Sequence, residues 1–100
     1  MNEYIFLMFG DAADATMADD GALWDAYITR LQASGQFDGG SAIGAGLRCR
    51  QGSGAQPAPP GCTGFIRVRA ESLAAAQALL DGNPTYEAGG TVEVRELPRT

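Results

Sequence analysis

Arginine pairs spaced two residues apart constrain the fold of this chain more than any other feature. All seven cationic side chains are arginines, and four of them form the pairs Arg48/Arg50 and Arg67/Arg69. Residues two apart on a β-strand share a face, so each pair points one way while its apolar neighbours point the other. Arg95 lies in a similar alternating segment near residue 100. The pattern predicts a small sheet with one apolar face and one arginine-rich face.

Composition sets the class of protein. A chain of 100 residues that is 45% hydrophobic and 19% charged predicts one globular domain over residues 1–100. Its net charge of −5, with no lysine, argues against binding to nucleic acid or to an anionic membrane. The longest apolar run, residues 4–9, is too short to span a bilayer. The chain opens with neither a basic segment nor a cleavage site, and we expect a cytoplasmic protein.

The inventory of reactive side chains is short. The chain has no histidine and two cysteines, which leaves the commonest general base absent and a zinc site short of ligands. We therefore assign no catalytic residue, no metal ligand and no cofactor from the sequence.

Hydrophobic periodicity predicts six elements in the order βαββαβ. Residues 2–9, 41–50, 63–70 and 91–97 have strand patterns, and residues 20–34 and 73–80 have helical ones. The Gly/Pro-rich residues 51–61 read as a flexible loop. This order predicts a ferredoxin-like α+β fold, in which two helices cover one face of a four-stranded antiparallel sheet. The strand residues expected to face the helices are Ile43, Leu47, Ile66, Val68, Val92 and Val94.

The first strand indicates a partner. Residues 4–9 are apolar on both faces, although a single layer of helices covers only one face of such a sheet. We expect a second copy of the chain to cover the other face, giving a homodimeric α+β barrel.

The chain resembles the YCII-related family, including its DGPF-type branch, nearly from end to end. The resemblance rests on Tyr4-Ile5-Phe6-Leu7-Met8-Phe9-Gly10-Asp11, on Trp24-x-x-Tyr27-x-x-x-Leu31 followed by Gly35, on Gly64-Phe65-Ile66, on Glu71-Ser72-Leu73-Ala74-Ala75-Ala76, on Asn83-Pro84 and on Val92-Glu93-Val94-Arg95-Glu96-Leu97. It implies a dimeric α+β barrel.

Two departures limit what the resemblance implies about activity. The DGPF signature is missing, and Ala58-Pro59-Pro60-Gly61 stands where it should precede the third strand. The acid–base pair proposed for the YCII branch is missing as well: Trp24 occupies the position of its histidine and Ala33 that of its aspartate. The activity proposed for the family is therefore not expected here.

Five residues are candidate ligand contacts. Arg67, Arg69 and Arg48 could form an anion pocket, because guanidinium groups bind carboxylate and phosphate in a bidentate manner. The alternative is that these arginines pair with acidic side chains between strands or between subunits. Trp24 and Tyr27 could line an aromatic pocket between helix and sheet, or could simply be core residues.

Three further features carry weaker signals. An antiparallel register that aligned the apolar faces would place Cys49 opposite Cys62, within reach of a disulfide, although two free thiols are favoured in a reducing compartment. The loop 51–61 could be a lid or a tolerated insertion. A loose acidic group could attract a cation or simply supply charge at a helix start. It comprises Asp11, Asp14, Asp19 and Asp20.

Two functions remain open on sequence alone. The first is a homodimeric binding domain for a small anionic or aromatic ligand, or for a protein partner. The second is a cofactor-free enzyme, similar to a monooxygenase or an isomerase, in which the fold supplies a dry cavity and the substrate supplies the reactivity.

Overall fold

A computed structural model describes residues 1–59 and 61–99 and contains one four-stranded sheet, one separate hairpin and four helices. The strands are β1 (Asn2–Phe9), β2 (Phe37–Ala42), β3 (Leu47–Arg50), β4 (Gly54–Pro57), β5 (Cys62–Ala70) and β6 (Val92–Glu96), and the helices are α1 (Ala15–Ala18), α2 (Gly21–Ser34), α3 (Leu73–Ala78) and α4 (Pro84–Glu87).

The main sheet is antiparallel and has the strand order β2-β5-β1-β6. The predicted ferredoxin-like α+β topology is thereby supported: β1 and β5 lie at the centre, and β2 and β6, the strands that follow the helical crossovers, form the two edges. None of the helices in the described part of the chain combines the length and apolar character needed to cross a bilayer.

Strand alternation places the core on one face of the sheet. Tyr4, Phe6 and Met8 of β1 are buried and lie in register with Val68, Ile66 and Gly64 of β5. Tyr27 and Leu31 of α2 and Ala76 of α3 complete this core. Val92 and Val94 of β6 pack against its margin. The predicted inward-facing residues of β5 and β6 are confirmed.

Capping fixes the ends of α2, the longest helix. The Asp20 carboxylate accepts hydrogen bonds from the backbone N–H groups of Ala22 and Leu23, which would otherwise be unpaired at the first turn. Gly35 ends the helix in a left-handed conformation with φ of 77°, which glycine adopts without steric cost. The prediction of a helix over residues 20–34 is confirmed to within one residue.

The prediction of one continuous strand of the main sheet over residues 41–50 is wrong. On the side of β5 away from β1, the pairing strand is β2, which starts at Phe37 and ends at Ala42, and the chain then leaves the main sheet; residues 47–50 form β3 instead. Consequently Ile43 and Leu47 do not face the helices: they are 41% and 70% exposed. A Cβ atom on Gly40 would collide with the carbonyl oxygen of Phe65, so β2 follows β5 closely only because glycine is present there.

The prediction that residues 51–61 form a loop is also wrong in part. Residues 54–57 form β4, which pairs with β3 to give a two-stranded hairpin, residues 47–57, outside the main sheet. Every residue of β3 and β4 is exposed. Pro60, part of the predicted loop and of the segment replacing the DGPF signature, lies outside the described residues.

The hypothetical register that would place Cys49 opposite Cys62 is not formed. Cys49 lies opposite Ala55 in the hairpin, whereas Cys62 lies opposite Phe9 at the end of the main sheet. Both thiols are free. The register that would have opposed them required residues 41–50 to pair with β5, which they do not.

Candidate functional site

A cavity of about 590 Å³ lies between the main sheet and the N-terminal part of α2. Its floor is formed by the ends of β1, β2 and β5, with Met8, Ala42 and Gly64 among the lining residues. Its wall is formed by Trp24 and Ile28 of α2. The volume is within the range of about 300–1,000 Å³ typical of small-molecule sites.

The indole of Trp24 is held in a fixed orientation at the cavity wall. Its Nε1 donates a hydrogen bond of 2.7 Å to the carbonyl oxygen of Ala18, the last residue of α1. Its ring meets that of Tyr27 edge to face, with centroids 6.1 Å apart and an interplanar angle of 75°. Because its polar atom is already paired, Trp24 offers the cavity an apolar aromatic surface.

Few polar side chains line the cavity, and one of them is ionisable. Asp19, between α1 and α2, contributes a carboxylate, and hydroxyl groups come from Ser41, Thr63 and Thr85. The Ser41 hydroxyl donates to the carbonyl oxygen of Ala42 at 2.9 Å. No arginine is among the described lining residues, so a ligand in this cavity would meet no fixed positive side chain of the same chain.

Tyr27 lies in the core, one turn along α2 from Trp24. Its hydroxyl donates a 2.7 Å hydrogen bond to the carbonyl oxygen of Leu79, and its side chain is 2% exposed. Burial raises the pKa of Tyr27 to about 12, against the smaller lowering effects of Asn83 and Arg30. Tyr27 therefore contacts Trp24 from the core side and stays neutral at physiological pH, whereas Trp24 itself lines the cavity.

Arg67 and Arg69 lie on the opposite side of the main sheet. We call this side the open sheet face, and it consists of Glu3, Ile5, Leu7, Phe65, Arg67, Arg69, Glu93 and Arg95. Arg67 Nη2 lies 3.2 Å from Glu3 Oε1 and Arg95 Nη1 lies 3.4 Å from Glu93 Oε1. These pairings follow the alternative interpretation of the arginines, and they separate Arg67 from Trp24 by the thickness of the sheet.

Arg69 is bound more tightly at the edge of the same face. Its Nη2 donates a 2.7 Å hydrogen bond to the carbonyl oxygen of Gly35, and its Nε lies 3.1 Å from Asp38 Oδ1. The Nε–H group is nevertheless without an aligned acceptor, so the pair with Asp38 is one of proximity rather than of hydrogen bonding. Arg69 thus joins β5 to the turn after α2.

Arg48 lies in neither place. It belongs to the exposed hairpin, where its neighbour across the strands is Gln56. The five predicted ligand contacts therefore fall in four places: the cavity (Trp24), the core (Tyr27), the open sheet face (Arg67 and Arg69) and the hairpin (Arg48). The structure does not bring them together within one chain.

The acidic group of residues 11–20 is used largely for local structure. Asp14 caps α1 by accepting from the backbone N–H of Met17, as Asp20 does for α2. Asp11 accepts from the backbone N–H and the hydroxyl of Thr91, at 2.7 and 2.5 Å, and these bonds lower its pKa. Among residues 1–59 and 61–99, no three histidine, cysteine or acidic side chains are grouped so as to hold a metal ion.

Of the predicted ligand contacts, only Trp24 lines the cavity. The other lining residues come from segments that are far apart in sequence, and several are small, among them Gly10, Ala12, Ala15, Ala18 and Ala42. The one available signal was the run of small residues over 10–18, which leaves the space that larger side chains would fill.

The fold and cavity define a ferredoxin-like α+β domain with a partly open cavity between sheet and helix. No protein-family profile matches the chain, and no curated protein matches it. Its structure is similar to that of 5-chloro-2-hydroxyhydroquinone dehydrochlorinase from Burkholderia phenoliruptrix AC1100, determined in complex with 2,5-dihydroxybenzoquinone. The TM-score is 0.61 and the identity 18%, over 100% of this chain and 96% of that one. The likeness supports the ferredoxin-like α+β fold expected from the sequence.

Proposed function

We propose that this protein binds a small, neutral aromatic molecule in the cavity between the main sheet and α2. The main observation in support of this proposal is the cavity itself, which has a volume of about 590 Å³ and the fixed indole of Trp24 at its wall. A flat aromatic ring can stack on or against an indole and gains most of its affinity from buried apolar area. The few hydroxyl groups at the margin suit a ligand with one or two polar substituents.

Charge distinguishes between the two ligand classes that the sequence left open. The described lining contains the Asp19 carboxylate and no cationic side chain, while Arg67 and Arg69 are paired on the other side of the sheet. An anionic ligand would lose its hydration without gaining a counter-charge, which is costly. A neutral aromatic ligand is therefore favoured over an anionic one. The structure of the similar dehydrochlorinase contains 2,5-dihydroxybenzoquinone, and this supports a flat, ring-shaped ligand.

Because Trp24 is the single tryptophan of the sequence, its fluorescence can be used to measure ligand binding. We expect phenol, catechol or benzamide to change the fluorescence of Trp24 saturably and to raise the melting temperature. Benzoate, which is close to benzamide in shape but anionic, should bind at least about tenfold more weakly, since unpaired burial of charge costs more than 1.4 kcal/mol. A benzoate affinity equal to that of benzamide would contradict the neutral-ligand proposal.

Two variants locate the site. Ala42→Phe should fill the cavity floor and abolish the response, whereas Ala55→Phe, an exposed control in the hairpin, should leave it unchanged. Arg67→Ala should also leave it unchanged. If binding survives in Ala42→Phe but is lost in Arg67→Ala, the ligand site is on the open sheet face and the cavity proposal fails.

Turnover of a bound probe would instead support the cofactor-free enzyme. Asp19 is the one carboxylate among the described lining residues, and a carboxylate can transfer protons at such a site. On that hypothesis, Asp19→Asn would remove turnover while retaining the fluorescence response. The enzyme hypothesis fails if no probe that binds is converted.

The open sheet face supports a second part of the proposal, a homodimer. Ile5, Leu7 and Phe65 form a half-buried apolar centre on this face, and the Arg67–Glu3 and Arg95–Glu93 pairs lie beside it. An apolar centre with polar pairs at its margin is the usual anatomy of a protein interface. We propose that two copies meet through this face about a two-fold axis.

The dimer is tested by sedimentation at micromolar concentration. Leu7→Arg should yield monomers, because it would bury an unpaired charge at the centre of the interface. Leu73→Arg, on the exposed surface of α3, is the control and should remain dimeric. A monomeric wild-type protein would overturn this part of the proposal and leave the ligand experiment unaffected.

A further inference from the structure

One hydroxyl group at the cavity has no partner within the described part of the chain. Thr85, the second residue of α4, lines the cavity and is only 4% exposed. Its Oγ1 makes no hydrogen bond to residues 1–59 or 61–99, whereas the hydroxyls of Ser41 and Thr63 donate to backbone carbonyl oxygens at 2.9 and 3.5 Å. Buried polar groups in folded proteins are nearly always paired. An unpaired hydroxyl in a cavity therefore indicates a partner from outside the chain.

The Thr85 hydroxyl is accessible from the cavity. Among the described residues, two side-chain polar atoms are both fully enclosed and unpaired, Arg69 Nε and Asn83 Nδ2, and Thr85 Oγ1 is not one of them. The small accessible area of Thr85 therefore includes its oxygen, and it opens on the cavity that this residue lines. A ligand in the cavity can consequently reach this atom.

The packing of α4 fixes the direction of the hydroxyl. The backbone N–H of Gly90 donates a 2.8 Å hydrogen bond to the carbonyl oxygen of Thr85. Thr85 Cγ2 lies so close to Gly90 that a Cβ atom added there would come within 2.8 Å of it. Because a β-branched side chain has few χ1 states, a methyl group held in this position also determines where the oxygen lies. The hydroxyl is thus preorganised for a partner in the cavity.

The cavity is short of free hydrogen-bond donors. The indole N–H of Trp24 and the hydroxyls of Ser41 and Thr63 already donate to backbone carbonyl oxygens. Acceptors are available, since a carboxylate such as that of Asp19 only accepts and a hydroxyl oxygen can accept as well as donate. Among the described lining residues, Thr85 therefore supplies the one uncommitted side-chain donor.

We propose that Thr85 determines ligand specificity in the cavity, by donating a hydrogen bond to an uncharged acceptor, such as a carbonyl oxygen, on the aromatic ligand. This inference rests on the proposed function and narrows its ligand class from neutral aromatic molecules to those that carry such an acceptor. An apolar molecule of the same shape would leave the Thr85 hydroxyl buried without a partner, which lowers affinity.

Two ligands of nearly the same shape isolate this hydrogen bond. Acetophenone has a carbonyl oxygen and no hydrogen-bond donor, whereas α-methylstyrene has a methylene group in place of that oxygen. Thr85→Val replaces the hydroxyl by a methyl group of similar size. We expect this variant to bind acetophenone about fivefold more weakly than wild type, and α-methylstyrene equally or more tightly. Isothermal titration calorimetry measures both affinities.

Two further measurements separate a contact with the ligand from a structural role. Thr29→Val, the same substitution on the exposed surface of α2, is the matched control and should leave both affinities at their wild-type values. The melting temperature of ligand-free Thr85→Val should equal or exceed that of wild type, because the hydroxyl has no partner in the described structure to lose. A lower melting temperature would show that the hydroxyl is paired within the chain and would overturn the proposal.

The binding data also distinguish this inference from the proposed function. If Thr85→Val changes the two affinities equally, or changes neither, Thr85 does not select the ligand, although the cavity remains the binding site. If wild type binds neither ligand, the proposed function itself fails and this inference fails with it.

Discussion

Two arginine pairs with the same spacing lie in very different surroundings. Arg67 and Arg69 belong to β5, an interior strand of the main sheet, and each has an acidic neighbour within 3.2 Å. Arg48 and Arg50 belong to the hairpin and have none in the described structure. The difference lies in the strands alongside: β5 has β1 and β2 as neighbours, whereas β3 has only β4. An alternating pattern thus specifies a strand and its faces, but not which sheet the strand will join.

The largest expected difference between the two regions is in backbone opening. Amide hydrogens at the centre of β5 should exchange only on global unfolding, and those of the hairpin by local fraying. With a global stability of about 5–15 kcal/mol, exchange in β5 should be at least about a thousandfold slower. Hydrogen exchange by NMR checks this at low protein concentration. Hairpin amides as protected as those of β5 in a dilute monomer would contradict the comparison.

Truncation of one apolar side chain in each region should give the next largest difference. Ile66→Ala removes a side chain that is 2% exposed in β5 and should lower the free energy of unfolding by about 2–5 kcal/mol, through lost burial and a residual cavity. Leu47→Ala in the hairpin should change it by less than about 0.5 kcal/mol. Urea unfolding measures both. Equal losses would show that the hairpin has a core contact.

The tyrosines extend the comparison to polar groups. Tyr27→Phe removes a buried hydrogen bond to Leu79 and should cost about 0.5–1.5 kcal/mol, whereas Tyr86→Phe, at a side chain that is 50% exposed, should cost almost nothing. Because the folded-state pKa of Tyr27 is raised to about 12, its contribution is complete below the unfolded value near 10 and is lost as pH rises through the folded one.

Melting temperatures measured at neutral pH and between about pH 9 and 11.5 check this. Tyr27→Phe should flatten the alkaline decline of stability relative to wild type, and Tyr86→Phe should reproduce the wild-type decline. Identical pH profiles for wild type and Tyr27→Phe would contradict the buried neutral phenol.

Substitution of the arginines should give the smallest change in the free energy of unfolding. Arg67→Ala breaks a partly exposed ion pair with Glu3 and should cost about 0.2–1 kcal/mol, a cost that salt reduces. Arg48→Ala should leave the free energy of unfolding unchanged, because Arg48 has no ion-pair partner among residues 1–59 and 61–99. Chemical denaturation at low and high salt measures both variants. A larger cost for Arg48→Ala than for Arg67→Ala would mean that the hairpin arginine has an intramolecular partner.

The regular part of the fold could be predicted from local signals. β1, α2 and β5 were predicted to within one residue, because each combines a clear period with a recognisable end such as Gly10 or Gly35. The short helices α1 and α4 were not predicted, although Asp14 and Asn83 are ordinary N-caps followed by a turn. A single turn carries too little periodicity to stand out.

β2 and the cavity could not be predicted, for a physical reason common to both. β2 contains Gly39 and Gly40, and glycines weaken any strand pattern in the sequence. Gly40 is needed because it allows the backbone of β2 to approach that of Phe65 closely. The cavity likewise depends on small residues that leave space between distant segments. Close approach and empty volume are properties of the assembled structure, and a local pattern of side chains does not encode them.

The central position of β1 has a consequence for biosynthesis. Its eight residues leave the ribosome first among the strands, but both of its hydrogen-bonding partners, β5 and β6, begin only at Cys62 and Val92. At about 5–20 residues per second, the most apolar strand waits for several seconds with both edges unpaired. During that interval the nascent chain exposes a strand with two unpaired edges, and early packing of α2 on β1 would limit its aggregation.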